Sequence, residues 1–536
     1  MTGGKDFSVA PVVLSLMASY LTATTLIGWP VEIYTRGTQL FASLVAGFVS
    51  TYVAAEVFIP IYFKINAISI NKYLEERFNS KTLVVTTSAL MTLSWVSCFS
   101  PALAFGVSTG VSTTNCILLT AGVVTIYTTF GGLKAVIWTD VIQLILMIIG
   151  LIAIIIKGTL DIGGVGEVLE RNSLGGRIEL FNFKFNPYMS NNVWTVAFGT
   201  SFVYIAAYCT DQLAVQRMCA LPNMEKVRRA LFYVMIGFFF IEFSVLYLGM
   251  VIFAYFYKCD PLKAGQIQRT DEIVTLYVSE IFDNTYPGLL GLFVTCIFCS
   301  SLSTLSSGLS ALSVLIWEDW LKSLLPKVKP TTNVLITKFL SLLIGIIVLG
   351  AAFLAMNIGT IFEAIFILIG APVGPLFGLF FLGVTFPNVN WKGAITGMGT
   401  GFLIAIWITV GAIFNKAPEM VLPTTTDGCN NTSLLANITH STPFEQLKHS
   451  RISSYAPRGL NLVYHISPLF VPVVTFLTTI MVGNIVSFIF GGNEDKEVDE
   501  ILLCDLVRKV RDYMKALKKN RKSKPSNCEI AKTTHL

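Results

Sequence analysis

The sequence predicts an all-α polytopic membrane protein, and three observations carry that expectation. Of 536 residues, 54% are hydrophobic and only 13% charged, against roughly one-quarter charged in soluble domains. Apolar runs long enough to cross a ~30 Å hydrocarbon core, about 20 residues per helix, recur along almost the whole length. Basic residues collect in the short connections of one side, as the positive-inside rule requires.

Twelve spans are read at 10–34, 39–63, 83–108, 114–131, 136–156, 193–219, 230–256, 287–316, 334–356, 358–384, 393–414 and 464–491. Alternation from a cytoplasmic start puts Lys64, Lys72, Arg77, Lys81, Lys134, Arg217, Arg228, Arg229, Lys322 and the tail inside. The longer loops 157–192, 257–286 and 415–463 then lie outside. Three sequons, at Asn430, Asn431 and Asn437, fall in the last of these loops and need a lumenal or external face to be glycosylated. Both termini are therefore expected to be cytoplasmic, in a plasma-membrane protein.

Met1 to Phe7 lead straight into a span too long for the apolar core of a cleaved leader, so the first span is expected to act as the insertion signal. Between the second and third spans, residues 68–78 read as a short amphipathic connector at the inner interface. Loops 157–192 and 415–463 are too polar to bury a core of their own. The +6 formal charge arises largely from the tail, where Arg508, Lys509, Arg511, Lys515, Lys518, Lys519, Arg521, Lys522 and Lys524 cluster. Beside a membrane such a run fits anionic lipid better than nucleic acid. The ending Thr534-His535-Leu536 suits capture by a PDZ-type scaffold, and a frayed tail fits it as well. Of ten cysteines, only Cys259 and Cys429 lie in outside loops, where a bridge, free thiols and other pairings are all open.

Ionisable residues within spans mark function by default, because burial near the bilayer centre costs at least ~2.5 kcal/mol. The candidates are Glu32, Glu56, Asp140, Asp211, Glu242 and Glu363. Asp140 and Asp211 lie near expected inner ends, where a solvated carboxylate costs little, whereas Glu363 sits within a long apolar run. In the eighth span Ser300, Ser303, Thr304 and Ser307 recur at i, i+3, i+4 and i+7 and share one face. Two explanations compete: close helix packing, which spacing alone favours, or hydroxyl oxygens replacing water around a hard cation.

The first span holds a polar, β-branched stretch from Ala18 to Thr25 ahead of Gly28-Trp29-Pro30, and the sixth is interrupted at Tyr208-Cys209-Thr210-Asp211-Gln212. Such stretches suit discontinuous helices whose freed carbonyls bind a cation at mid-depth; a continuous kinked helix is the simpler alternative. Interrupted first and sixth spans fit two inverted five-helix repeats.

These residues resemble the sodium/solute symporter family, and within it the sodium-coupled monocarboxylate and multivitamin transporter branch. The stretches that carry the resemblance are Ser15–Ser19, Pro30-Val31-Glu32-Ile33-Tyr34, Pro101-Ala102-Leu103-Ala104, Gly131–Asp140, Pro287-Gly288-Leu289 and Leu302-Ser303-Thr304. It implies a LeuT-type five-plus-five core over 10–384, two additional helices over 385–491, and short cytoplasmic ends at 1–9 and 492–536. It implies a sodium site formed by carbonyls of Ala18 and Leu21 with Ser300, Ser303 and Thr304, and a sodium or coupling role for Asp140. It places solute at Tyr20, Thr25, Tyr208 and Glu363. Family members commonly have Gln at the last position, and a carboxylate there repels a carboxylate solute unless protonated or paired. They also usually carry one more span ahead of Gly3-Gly4, so this chain is expected to begin after it.

The implied activity is sodium-driven import of a small organic anion, a monocarboxylate or a vitamin such as biotin or pantothenate. Other solutes (iodide, a sugar, a cation or zwitterion) and a channel or sensor of the same fold are the alternatives. An enzyme is not expected, because all four histidines (His440, His449, His465, His535) lie in the last outside loop, at a span edge or in the tail, with no nucleophile motif beside the buried carboxylates.

Overall fold

The computed structural model describes residues 7–97, 113–282, 288–325, 327–355, 361–418, 420–429, 455–491 and 498–522. Among them every regular element is helical. The three sequon asparagines and Thr534–Leu536 lie outside the described residues.

Helical segments occur at each expected span. Helices α1 (Val9–Tyr20) and α2 (Ala23–Arg36) make the first and are bent by 56°. The break is written in the side chains: Thr22 caps α2, its Oγ1 accepting from the Thr25 amide at 3.2 Å. The second span runs from Thr38 to Lys64 and includes α3 (Leu44–Val53) and α4 (Ile59–Lys64). Next come α5 (Lys72–Phe78), α6 (Lys81–Ser97) and α7 (Thr113–Ile162).

The expected division between 131 and 136 narrows to one residue. Gly132 takes φ 63°, ψ −170° inside α7, a conformation glycine adopts without Cβ strain. Tyr127 hydroxyl donates to the Leu302 carbonyl at 3.1 Å, and Asp140 accepts from Ser303 at 2.7 Å. Both limbs of α7 thus reach one level of the same partner helix, so the chain folds back at Gly132 and gives two spans.

Helix α8 (Val165–Leu174) lies in the first long loop. The sixth span breaks as expected, between α9 (Gly199–Cys209) and α10 (Gln212–Met218), with Asp211 accepting from the Leu213 amide as cap. Then follow α11 (Met224–Tyr255), α12 (Ile273–Ile281), α13 (Leu289–Ile316), α14 (Pro330–Ala355), α15 (Ile361–Thr385), α16 (Trp391–Phe414), α17 (Val471–Ile489) and the tail helix α18 (Asp505–Lys522).

Lipid replaces water around this bundle. On α7, Leu144, Met147, Leu151 and Ile154 are buried, while Ile142, Ile145, Ile149, Ile152 and Ile156 face outward. A helix apolar on both faces is stable only where its surroundings are apolar too. Helix α1 packs against α7, α11 and α13, which places the broken first span at the centre. Small residues permit the closest approaches: a Cβ on Gly249 of α11 would come within 2.7 Å of the Pro30 carbonyl oxygen.

The connections are more ordered than their polarity suggests. Arg177 is fully buried, donates to the carbonyls of Gly175 (2.7 Å) and Pro423 (2.6 Å), and stacks 3.9 Å over the Phe253 ring. Burial pulls its guanidinium down to about 10. Cys259 and Cys429 are disulfide-bonded. Residues 157–192 and 415–429 thus build no core of their own but close over the helices. The connector α5 is likewise packed rather than lying free at an interface. Arg77 donates to the carbonyls of Gly383 (3.0 Å), Phe386 (2.9 Å) and Pro387 (3.1 Å), at and just beyond the end of α15.

Candidate functional site

The hydroxyl stripe of α13 meets the first span just before its break. Ser300, Ser303, Thr304 and Ser307 are all buried. Thr304 Oγ1 donates to the carbonyl of Ser19 at 3.1 Å and to that of Ser300 at 3.0 Å. Ala18 and Leu21 are both fully buried beside it, and Leu21 has left helical geometry at ψ 77°. Ser300 turns its hydroxyl to the Ile297 carbonyl at 2.8 Å. The stripe therefore does more than pack: the hydroxyls of Ser303, Thr304 and Ser307 join separate helices through polar contacts.

Asp140 is the hub. The solvated carboxylate expected near an inner end is instead fully buried. Its oxygens accept from Ser15 (2.7 Å), Ser303 (2.7 Å), Ser19 (3.4 Å) and Ser307 (3.4 Å). Arg217, expected among the inner loop cations, is buried as well and reaches Asp140 at 2.9 Å and the Ser307 hydroxyl at 2.5 Å. The physical reason is the second break: after Asp211 the half-helix α10 turns into the core and carries Arg217 with it. Its Nε and Nη1 are buried with no hydrogen-bond partner among the described residues.

A cavity of about 280 Å³ adjoins the break, lined by Tyr20, Leu21, Thr22, Thr25, Tyr208 and Thr304 among others. Three residues expected at the solute, Tyr20, Thr25 and Tyr208, thus share one chamber. The Tyr20 hydroxyl donates to the Ala207 carbonyl at 2.8 Å, and its ring lies 5.3 Å from Tyr208 and 6.2 Å from Phe238. Glu363 begins α15, whose Val373 and Leu376 line the cavity; its side chain lies outside the described residues.

Two carboxylates without an assigned role also line the chamber. Asp211 accepts from Trp95 Nε1 at 3.2 Å, and Glu242 accepts from the hydroxyls of Ser43 and, at 3.5 Å, Tyr204. Among the described lining residues there is no Lys or Arg. The signal for Glu242 was in the sequence, since Met235, Phe238 and Glu242 recur at i, i+3 and i+7 and so share a face of α11. Glu32 is a structural carboxylate, held by Arg36 (2.6 Å) and Asn191 (2.9 Å), and Glu56 pairs with Arg228 at the surface.

Two broken spans meeting beside a buried polar hub and a mid-bundle cavity define a secondary transporter with the LeuT-type inverted-repeat fold. The chain belongs to the sodium:solute symporter family, whose model matches residues 1–401. Sodium-coupled monocarboxylate transporter 2 of Bos taurus is 33% identical over 94% of this chain and 82% of its own length. Sodium-coupled monocarboxylate transporter 1 of Homo sapiens is 32% identical over 92% and 82%. The sodium-dependent multivitamin transporter of Oryctolagus cuniculus is 34% identical over 90% and 76%. In fold the chain is similar to a Na+-coupled sialic acid symporter solved in a substrate-bound outward-open state, with TM-score 0.71, 20% identity, and coverage of 91% of this chain and 92% of that one. The protein is a multi-pass membrane transporter and not an enzyme, and sodium is its co-transported ion.

Proposed function

We propose sodium-coupled import of a small organic solute by alternating access, with sodium bound by the carbonyls of Ala18 and Leu21 and by Ser300, Ser303 and Thr304. The observation that carries this reading is the 3.1 Å contact from Thr304 Oγ1 to the Ser19 carbonyl, which brings hydroxyl and carbonyl oxygens together at the break in the first span. A cation there holds the first and eighth spans together and favours the solute-competent state. Each sodium adds ~2.3 kcal/mol per 100 mV of membrane potential. Asp140, paired with Arg217, serves a further sodium or inner-side coupling.

The solute occupies the chamber at Tyr20, Thr25 and Tyr208, and the family resemblance adds Glu363 to its contacts. The relatives bring monocarboxylates and vitamins as the first class of solute. A cationic or zwitterionic solute is the second reading, favoured by Glu242 and Asp211 in a lining with no basic side chain among the described residues. Residues 10–384 form the transport core, 385–491 add two helices, and both termini face the cytoplasm of a plasma-membrane protein. The tail 492–536 lies against anionic lipid, with Thr534–Leu536 open to a PDZ-type scaffold.

Uptake of lactate, short-chain fatty acids, biotin, pantothenate, iodide, sugars and choline, with and without sodium, tests the reading. Sodium-dependent accumulation against a gradient is expected. Currents reversing at the potential of a single ion, without accumulation, would replace the symporter with a channel.

A further inference from the structure

The cavity brings together two chemically opposite groups at one depth. Thr22, Thr24 and Thr25 at the start of α2 line it. The leading amides of a helix have no intrahelical acceptor, and its positive dipole end favours a carboxylate. Thr24 is only 5% exposed and lines the cavity, and its Oγ1 has no hydrogen-bond partner among the described residues. On α11, Gly237 faces Met17 and Gly249 faces Pro30. Glu242 lies between those two contacts and therefore near the depth of the break. Its carboxylate is 4% exposed at the residue level and opens onto the same chamber, beside the rings of Tyr204, Tyr208 and Phe238.

A simple carboxylate docked at Thr24 would share this small chamber with Glu242 and Asp211 and, among the described lining residues, no basic side chain. Buried like charges are costly unless a cation joins them, and one sodium at Leu21 and Thr304 offsets only one of the three. A solute that carries its own ammonium removes the conflict, because the ammonium pairs with Glu242 and rests on aromatic faces. We propose that the transported solute is a short amino-carboxylate, with its carboxylate at the first turn of α2 and its ammonium at Glu242. This rests on the symport reading and narrows it: the carboxylate is the group named for the monocarboxylate relatives, and Glu242 adds a requirement for a cationic nitrogen.

Three probes of equal length separate the two halves of the solute: propionate, β-alanine and propylamine, each measured as sodium-dependent uptake at quantified surface density. β-Alanine is expected to exceed both others at least about tenfold, the scale of one charge-assisted hydrogen bond. Glu242→Gln is expected to collapse the β-alanine to propionate ratio by about the same factor, and Glu242→Asp, which keeps the charge, to retain part of it. Propionate carried as well as β-alanine, or a ratio unchanged in Glu242→Gln, overturns the inference while leaving symport intact. Propylamine carried as well as β-alanine overturns the carboxylate half. Surface-expressed protein that moves none of these, and nothing in the wider solute panel, overturns the symport reading itself.

Discussion

Arg217 Nη2 lies 2.9 Å from Asp140 Oδ2, and both side chains are buried in the middle of the bundle. One partner comes from the half-helix that follows the sixth-span break, the other from the second limb of α7. The pair therefore ties together elements from both repeats around the stripe of α13.

Removing one member leaves the other charge buried and unpaired, which costs about 3–5 kcal/mol. Arg217→Met and Asp140→Asn are each expected to lower the melting temperature of detergent-purified protein strongly. The double variant should recover much of that loss, because no lone charge remains. A double variant whose loss equals the sum of the singles would show that the two groups act independently.

Ser303→Ala combined with Thr304→Ala removes two hydroxyl oxygens facing Asp140 and the first span. Sodium-dependent uptake is expected to disappear while surface expression, measured by biotinylation, persists. Unchanged uptake with unchanged sodium dependence rules out this sodium site.

Gly249→Val places branched carbon where even a Cβ would meet Ile33 at 2.6 Å and the Pro30 carbonyl at 2.7 Å. Because Pro30 is fixed within α2, backbone has to shift, and overpacking of this kind costs about 1–3 kcal/mol. A lowered melting temperature checks it. Gly122→Ala, with nothing within 4 Å of its Cβ, is the matched control and should be near neutral.

The Cys259–Cys429 bridge closes a sequence separation of 170 residues. Peptides containing the two cysteines should co-migrate until reduced, as read by mass spectrometry of a digest. Cys259→Ser is expected to lose about 2–5 kcal/mol of stability, the usual scale for a native disulfide.

Much of the architecture was legible in sequence because hydropathy in a membrane protein records contact with lipid directly. The runs that became α11, α13, α16 and α17 needed only length and apolarity, and Thr22 and Asp211 marked the two breaks through capping chemistry that acts within three residues. The stripe from Ser300 to Ser307 was visible for the same local reason, as a spacing on one helix.

Asp140 and Arg217 were not legible in this way. Each sits near an apolar run, and proximity to its end makes a charge look solvated; their burial depends on α10 turning inward and on α7 folding back at Gly132, so that groups 77 positions apart meet. Arg77 likewise read as a loop cation until its carbonyl partners, such as Gly383 at a separation of 306 residues, were brought beside it. Which segments are apolar enough to cross the membrane, where two of them break and which helix face bears hydroxyls are properties of neighbours along the chain, and so were readable from residue order alone. Which charges pair, and that Glu242 and Asp211 share a chamber with Tyr20 and Tyr208 whose described lining holds no basic side chain, came from the packing of the helices. Those depend on helices from distant parts of the chain excluding water together, and no local pattern records that.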